Sequence, residues 1–159
     1  MNQASERSED RDICGIFTLE LPARRDAFEL LRSRLADAAA KFRLPERETD
    51  QLLIAADEAF SNIAEYAYPD RGGTVEVQLA NNAAGTELYM IFSDRGIPFD
   101  PLEVKPPDTA APPAERQIGG LGIHLVRHLM DGIAYRRTDD GRNLLTLTKH
   151  LPAVPKVQS

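Results

Sequence analysis

The sequence predicts an α/β (α+β) two-layer sandwich, a mixed, mostly antiparallel sheet with helices on one face. Three observations carry that prediction. The chain of 159 residues is 42% hydrophobic, enough to bury one core. Apolar spacing changes along it between the period of a strand and that of a helix. The resulting order is strand, two helices, two strands, a long proline-rich interval, one helix and two strands, a mixture that suits a layered α/β domain.

Residues 1–11 are polar, charged and aperiodic, and read as a disordered tail. "ICGIFTLEL" (13–21) has the β-branched and aromatic content of a strand. Pro22 opens a helix over 23–42, whose apolar residues Phe28, Leu31, Leu35, Ala38 and Phe42 recur at helical spacing. "LPERETD" breaks it, and a second helix runs from 46 to 67. Gly72 and Gly73 start a strand at "TVEVQLA", and "NNAAG" turns it into "TELYMIFSD". The interval 96–120 gathers more than half of the eleven prolines and shows no period, the texture of a functional lid or a disordered segment. "LGIHLVRHLMD" follows as a helix with Leu121, Leu125, Val126 and Leu129 as its apolar set. Strands at "GIAYRRT" and "NLLTLTKHL", joined by an Asp140–Gly141 turn, close a domain over 12–151, and 152–159 form a C-terminal tail.

Composition excludes several function classes. A formal net charge of -6 argues against direct nucleic-acid binding, which favours basic faces. The single cysteine, Cys14, rules out an internal disulfide and any CxxC metal site. No apolar run approaches the roughly 20 residues of a membrane span, and "MNQASERSED" lacks the apolar centre of a signal peptide. These features predict a reduced, cytoplasmic setting without membrane contact.

Three short stretches carry the chemistry. In "DEAFSNIAEYAYPD" (57–70), Glu58 and Asn62 stand one helical turn apart. They lie just off the edge of the apolar stripe Leu52, Ala56, Ala59, Phe60, Ile63 and Ala67, with Ala55 and Tyr66 beside them and Asp57 and Ser61 on the more exposed side. An edge position lets a side chain reach a cleft beside the core, although a solvated acid and amide would look the same. "FSDRGIPFD" ends a strand with Asp94 followed by Gly96. A carboxylate there can accept from an amino group, and a glycine permits close backbone approach, while both residues are also ordinary in a turn. "GGLGIHLV" (119–126) places glycines at a helix start, where backbone N–H groups and the macrodipole suit an anion or, alternatively, serve a hinge. It is neither a Walker A loop nor a complete GxGxxG, since Leu125 holds the third glycine position.

Taken together and in this order, these stretches resemble the N, G1 and G2 boxes of the Bergerat-fold (GHKL) ATPases, the superfamily of histidine-kinase catalytic domains and gyrase. Within it the chain is most similar to the small anti-sigma-factor serine/threonine kinases, over roughly residues 13–151. The resemblance implies a Bergerat ATP-binding fold, with ATP and Mg²⁺ as cofactors and a lid over about 97–119. It implies Asn62 as the Mg²⁺ ligand through its amide oxygen and Glu58 as the general base for an incoming serine or threonine hydroxyl. Asp94 would hold the adenine amine, and Gly96 would make room for the ring. Gly119, Gly120 and Gly122, with Leu121 among them, would shape the lid's hinge and offer N–H groups to the phosphates. Arg116 and Lys105 are the candidate γ-phosphate partners. The implied function is an ATP-dependent protein kinase acting as an anti-sigma factor by partner switching. It would phosphorylate a small anti-sigma-factor antagonist and hold a sigma factor or other effector, with a homodimer as a further partner state.

The chain departs from that pattern at two places. Glu65 stands where a histidine is common. Arg142 and Asn143 stand where many members place a threonine that supports the adenine-binding aspartate, with Thr146 and Thr148 further along, so that water-mediated support is expected to be weaker here. His124 and His128 are four apart on one helix but lack a third ligand motif. Ser61 and Cys14 have no nucleophile context. The alternative to a kinase is a module that uses nucleotide only as a conformational ligand, and Glu58 separates the two, because a pure binder has no need of a base.

Overall fold

A computed structural model describes residues 13–70, 72–103 and 120–152. Strands β1 (Ile13–Pro22), β2 (Thr74–Asn82), β3 (Glu87–Asp94), β4 (Gly132–Arg137) and β5 (Asn143–His150) form one sheet in the order β1-β2-β3-β5-β4. Every pairing in it is antiparallel, which settles the choice between a mixed and an antiparallel sheet. Helices α1 (Phe28–Lys41), α2 (Glu46–Tyr66) and α3 (Gly120–Leu129) share their buried residues with one face of that sheet in a single core.

The register aligns inward-facing residues in rows across the sheet, because side chains alternate along each strand. One row is Phe17, Leu79, Met90, Leu147 and Ile133, and the next is Leu19, Val77, Phe92, Leu145 and Tyr135. Leu79, Met90, Leu147, Val77 and Phe92 are fully buried. The third row changes character: Leu21 and Val75 are apolar, and Asp94, Asn143 and Arg137 follow. One end of the core face is therefore polar on three adjacent strands. The functional chemistry collects at that end.

Helix α2 supplies the opposite layer with Leu52, Ala55, Ala56, Ala59, Phe60 and Ile63. Ala55, placed by its spacing at the edge beside Glu58, lies fully in the core. Small alanines let the helix approach the sheet closely, and Phe60 fills the remaining depth against Phe28 of α1, with ring centroids 6.1 Å apart.

Two expectations require correction. The helix predicted over 23–42 starts only at Phe28, after a 3-10 turn over Arg25–Ala27. Ala23 still belongs to the sheet edge, its N–H donating to the Gly73 carbonyl at 2.8 Å, and Arg24 is extended. In α3 the buried face is Ile123 and Val126, continued by Met130, whereas Leu125 is 40% exposed. Of the expected apolar set Val126 is buried, Leu129 half-buried and Leu125 exposed. Apolar residues cover more than half of the helix circumference opposite His124, Arg127 and His128, and only the edge carrying Ile123 and Val126 meets the core. The side chain of Leu121 lies outside the described residues.

The turns follow their chemistry. Asn82 closes the β2–β3 turn by accepting from the N–H groups of Thr86 (2.9 Å) and Glu87 (3.0 Å), and Gly85 adopts φ 68°. Gly141 adopts φ 87° in the β4–β5 turn. Helix α1 ends in a Schellman arrangement, with Leu44 N–H on Ala39 O (3.0 Å) and Arg43 N–H on Ala40 O (3.1 Å). Its left-handed position is held by Arg43 at φ 57°, where glycine is the usual occupant. At the other end of the molecule Lys149, buried, donates to the last-turn carbonyl of Leu129 at 2.6 Å, fixing α3 against β5.

Candidate nucleotide site

A cavity opens between α2, α3 and the polar end of the sheet. Ala59, Asn62, Ile63 and Ala67 of α2 line one wall, Asp94, Asn143, Tyr135 and Leu145 the sheet side, and Phe99, Pro101 and Ile123 the remainder. The wall is largely apolar and narrow, with polar groups gathered at one end, which suits a flat heteroaromatic ring carrying a polar edge. Asn62 and Asp94, far apart in sequence, thus come together on one cavity.

Asp94 ends β3 and is 6% exposed. Its Oδ1 accepts from the Gly96 N–H at 2.9 Å and from Asn143 Nδ2 at 2.9 Å. Asn143 is its direct partner across the β3–β5 pair and stands where the resemblance leads one to expect a threonine. The support is direct and comes from the asparagine. Asn143 Nδ2 also reaches Ile97 O at 2.8 Å, while its Oδ1 accepts from the Tyr135 hydroxyl and from Arg137 Nη1 at 3.0 Å. Arg137 Nη1 further donates to Gly96 O at 3.1 Å. Sequence reasoning noted Asn143 only as a departure and missed Tyr135 and Arg137. The sequence carried no signal for this meeting, because it depends on β3 and β5 being neighbours in the sheet and on their register.

Gly96 has a neighbour other than a ligand ring. A Cβ built on it would lie 2.3 Å from the Ala67 carbonyl oxygen and 2.6 Å from the Ala67 Cβ. The glycine lets the turn after β3 pack on the end of α2, where Ile97 N–H donates to Ala67 O at 2.9 Å. Tyr68 clamps the same junction, its hydroxyl donating to Thr74 O (2.7 Å) and accepting from Arg95 N–H (2.9 Å). Tyr66 and Phe99 stack with centroids 5.4 Å apart and set the edge of the cavity.

On α2, the Nδ2 of Asn62 is buried without a hydrogen-bond partner among the described residues. An orphan amide at a cavity wall costs about 1–3 kcal/mol, so it marks a group that a ligand would satisfy. Its amide oxygen is a hard donor that fits Mg²⁺, which takes few protein ligands and keeps its waters and phosphate oxygens. Glu58, one turn earlier, is half-buried and outside the lining of the cavity. Burial, reinforced by the neighbouring Asp57 charge, raises its pKa above the ordinary carboxylate value. A carboxyl shifted upward beside a cleft is the environment of a proton acceptor in catalysis. Glu65 pairs with Arg25 at 2.9 Å on the exposed side and is not among the residues lining the cavity.

Helix α3 begins at Gly120 and turns Ile123 into the cavity. Gly120 and Gly122 are in its first turn, with no side-chain geometry described for this turn. Gly119, Arg116 and Lys105 lie outside the described residues. His124 and His128 stand on the exposed face with ring centroids 5.1 Å apart. Among the described residues, no helix is long and apolar enough to cross a membrane.

Comparisons with known proteins agree with this geometry. Residues 21–149 match the family described as the histidine kinase-like ATPase domain. The chain is 35% identical over 99 residues to the serine/threonine-protein kinase BtrW of Bordetella bronchiseptica, covering 62% of this chain and 68% of that one. It is 27% identical over 137 residues to the serine-protein kinase RsbW of Bacillus thuringiensis, covering 84% of this chain and 83% of that one. Among solved structures it is similar to the RsbU and RsbW domains of Rv1364c from Mycobacterium tuberculosis, with a TM-score of 0.59 at 18% identity over 88% of this chain. It spans about a third of that longer chain, 34%, and the likeness there is one of fold. A family match over most of the domain, kinase relatives and a shared sandwich converge: the chain belongs to the histidine kinase-like ATPase domain family, in the company of protein-serine kinases.

Proposed function

We propose that this chain is an ATP-dependent protein-serine/threonine kinase that acts as an anti-sigma factor, phosphorylating a small antagonist protein in a partner-switching system of the cytoplasm. The observation that carries the reading is the pair on α2: an acid with an upward-shifted pKa one turn before an amide that opens on the cavity ending at Asp94. A module that only bound nucleotide would gain nothing from the acid.

In this reading Asp94 accepts from the exocyclic amine of adenine and the apolar walls sandwich the ring. Asn62 would hold Mg²⁺ through its amide oxygen, and the bound ion would supply charge neutralisation at the phosphates. The first turn of α3, with Gly120 and Gly122, offers backbone N–H groups to the phosphate chain. Glu58 receives the proton of the substrate hydroxyl as the serine oxygen bonds the γ-phosphorus. The bond from that phosphorus to the β–γ bridging oxygen breaks, and ADP leaves. Phosphoryl transfer asks mainly for positioning and charge neutralisation, so this small set suffices.

The test uses labelled ATP, Mg²⁺ and the antagonist-type protein encoded nearest the gene. Transfer to a serine or threonine, retained ATP binding and lost transfer in Glu58→Gln are the expected results. ATP binding that Asp94→Asn abolishes, with no transfer to any of several antagonist candidates, would instead establish a nucleotide-dependent binding regulator.

A further inference from the structure

We propose that Asn143 is a positioning residue that aims Asp94, so that strands β3, β5 and β4 together set a preference for a purine bearing a 6-amino group. The inference rests on the reading of Asp94 as the base-binding carboxylate and adds to it the source of the selectivity.

Asn143 and Asp94 are both nearly inaccessible, 5% and 6% exposed, so their polar atoms must be satisfied by one another and by neighbours. The amide of Asn143 has two hydrogens and two lone pairs, and each finds a partner. One hydrogen goes to Asp94 Oδ1 (2.9 Å) and the other to Ile97 O (2.8 Å), with Gly96 O at 3.4 Å sharing it. The oxygen receives the Tyr135 hydroxyl and Arg137 Nη1. Flipping the amide would turn its oxygen on a carboxylate and a carbonyl, and its NH₂ on a hydroxyl and a guanidinium. β4 therefore dictates which way Asn143 faces, and Asn143 dictates how Asp94 is held.

The consequence falls on the ligand side. Asp94 Oδ1 already accepts two N–H groups, from Gly96 and Asn143. Among the described residues Oδ2 accepts none, and since Asp94 lines the cavity this oxygen is the one left to accept from a ligand. The Asn62 Nδ2, unpaired among the described residues, stands across the cavity on α2. The donors that β4 and β5 place beside Asp94 (Asn143 Nδ2, the Tyr135 hydroxyl and Arg137 Nη1) are turned toward protein acceptors. An incoming base thus meets an acceptor, which a 6-amino group satisfies and a 6-oxo group opposes, and a site built this way rejects the mismatched edge strongly.

The experiment measures affinities of the whole chain for ATP, for purine riboside triphosphate, which lacks only the 6-amine, and for ITP, by titration calorimetry with Mg²⁺. Wild type should favour ATP over both. Asn143→Leu should weaken ATP about ten-fold while changing the deamino analogue less than about two-fold, so that the ratio collapses. Tyr135→Phe, which keeps the amide and removes one of the groups that orient it, should narrow the ratio about three-fold. Equal losses for all three nucleotides would show a merely structural role and overturn the proposal, as would an unchanged ratio in Tyr135→Phe. That milder variant decides the matter if Asn143→Leu does not fold. Asp94→Asn separates the two layers. A preserved ratio there removes the base-site reading itself, whereas a ratio lost in Asp94→Asn but kept in both other variants removes only the role of Asn143.

Discussion

Gly96→Ala should cost the fold rather than only the ligand. The added Cβ would sit 2.3 Å from the Ala67 carbonyl oxygen, 2.6 Å from its Cβ and 2.7 Å from its carbonyl carbon. These atoms cannot swing aside as a long side chain could. Ala67 N–H is held by Ile63 O at 3.0 Å, and its carbonyl by Ile97 N–H at 2.9 Å. Relief requires the turn after β3 to lift from α2. Overpacking of this kind costs about 1–3 kcal/mol, and loss of the Ile97–Ala67 bond adds about 1 kcal/mol. A total of about 2–4 kcal/mol lowers Tm by roughly 6–12 °C for a chain of this size. Thermal melting without nucleotide, followed by circular dichroism, reads the shift. Adding Ala67→Gly should restore only part of it, because the oxygen contact stays. A Gly96→Ala protein that melts within about 2 °C of wild type yet no longer binds ATP would refute the reasoning. The glycine would then be making room for the base, as the family resemblance implies, and not for the helix.

Other outcomes follow from single features. Glu58→Gln should become more stable relative to wild type as pH rises. Burial and Asp57 raise the folded-state pKa of Glu58 above its ordinary 4.5, so its favourable contribution is complete below that value and lost as pH climbs through the folded pKa. Urea midpoints should coincide near pH 4 and diverge in favour of Gln at pH 7, and an equal offset at both pH values would contradict the assignment. Arg43→Gly, at φ 57° in the α1 cap, should stabilise by about 0.5–1 kcal/mol, after the greater backbone freedom of glycine in the unfolded chain is allowed for. Its Tm should rise by about 2–3 °C. Tyr68→Phe removes the hydroxyl shared by Thr74 O and Arg95 N–H and should cost about 1–2 kcal/mol, read as a lower urea midpoint with an unchanged slope.

Much of the architecture was legible because periodicity reports burial directly. β1, α2 and the β2–β3 hairpin declare themselves in spacing and turn residues, and their bounds differ from expectation by at most two positions. The failures have physical causes. Ala23–Ala27 carries a helix former's composition, yet a backbone bond to Gly73 draws its start into the sheet edge. α3 is apolar on several sides, so its spacing does not say which side meets the core. At the site, Glu58 and Asn62 are readable because a helix brings i and i+4 together without help. Asn143 and Asp94 are 49 positions apart, and their meeting depends on strand register, which no local pattern encodes. The same holds for Gly96 and Ala67. Local chemistry could be read; cross-strand chemistry had to be seen.

The aromatic residues at the cavity have an optical consequence. The chain has no tryptophan and four tyrosines. Tyr66 stacks on Phe99 at the cavity edge, Tyr68 clamps the turn after Asp94, and Tyr135 lines the wall. Only Tyr89 stands elsewhere, on β3 with its hydroxyl on Glu87. Near-ultraviolet absorption and emission of the unlabelled protein therefore originate mostly around the site. Nucleotide entry should register as a change in tyrosine fluorescence, and Tyr135→Phe and Tyr66→Phe would divide that signal between the wall and the edge of the cavity.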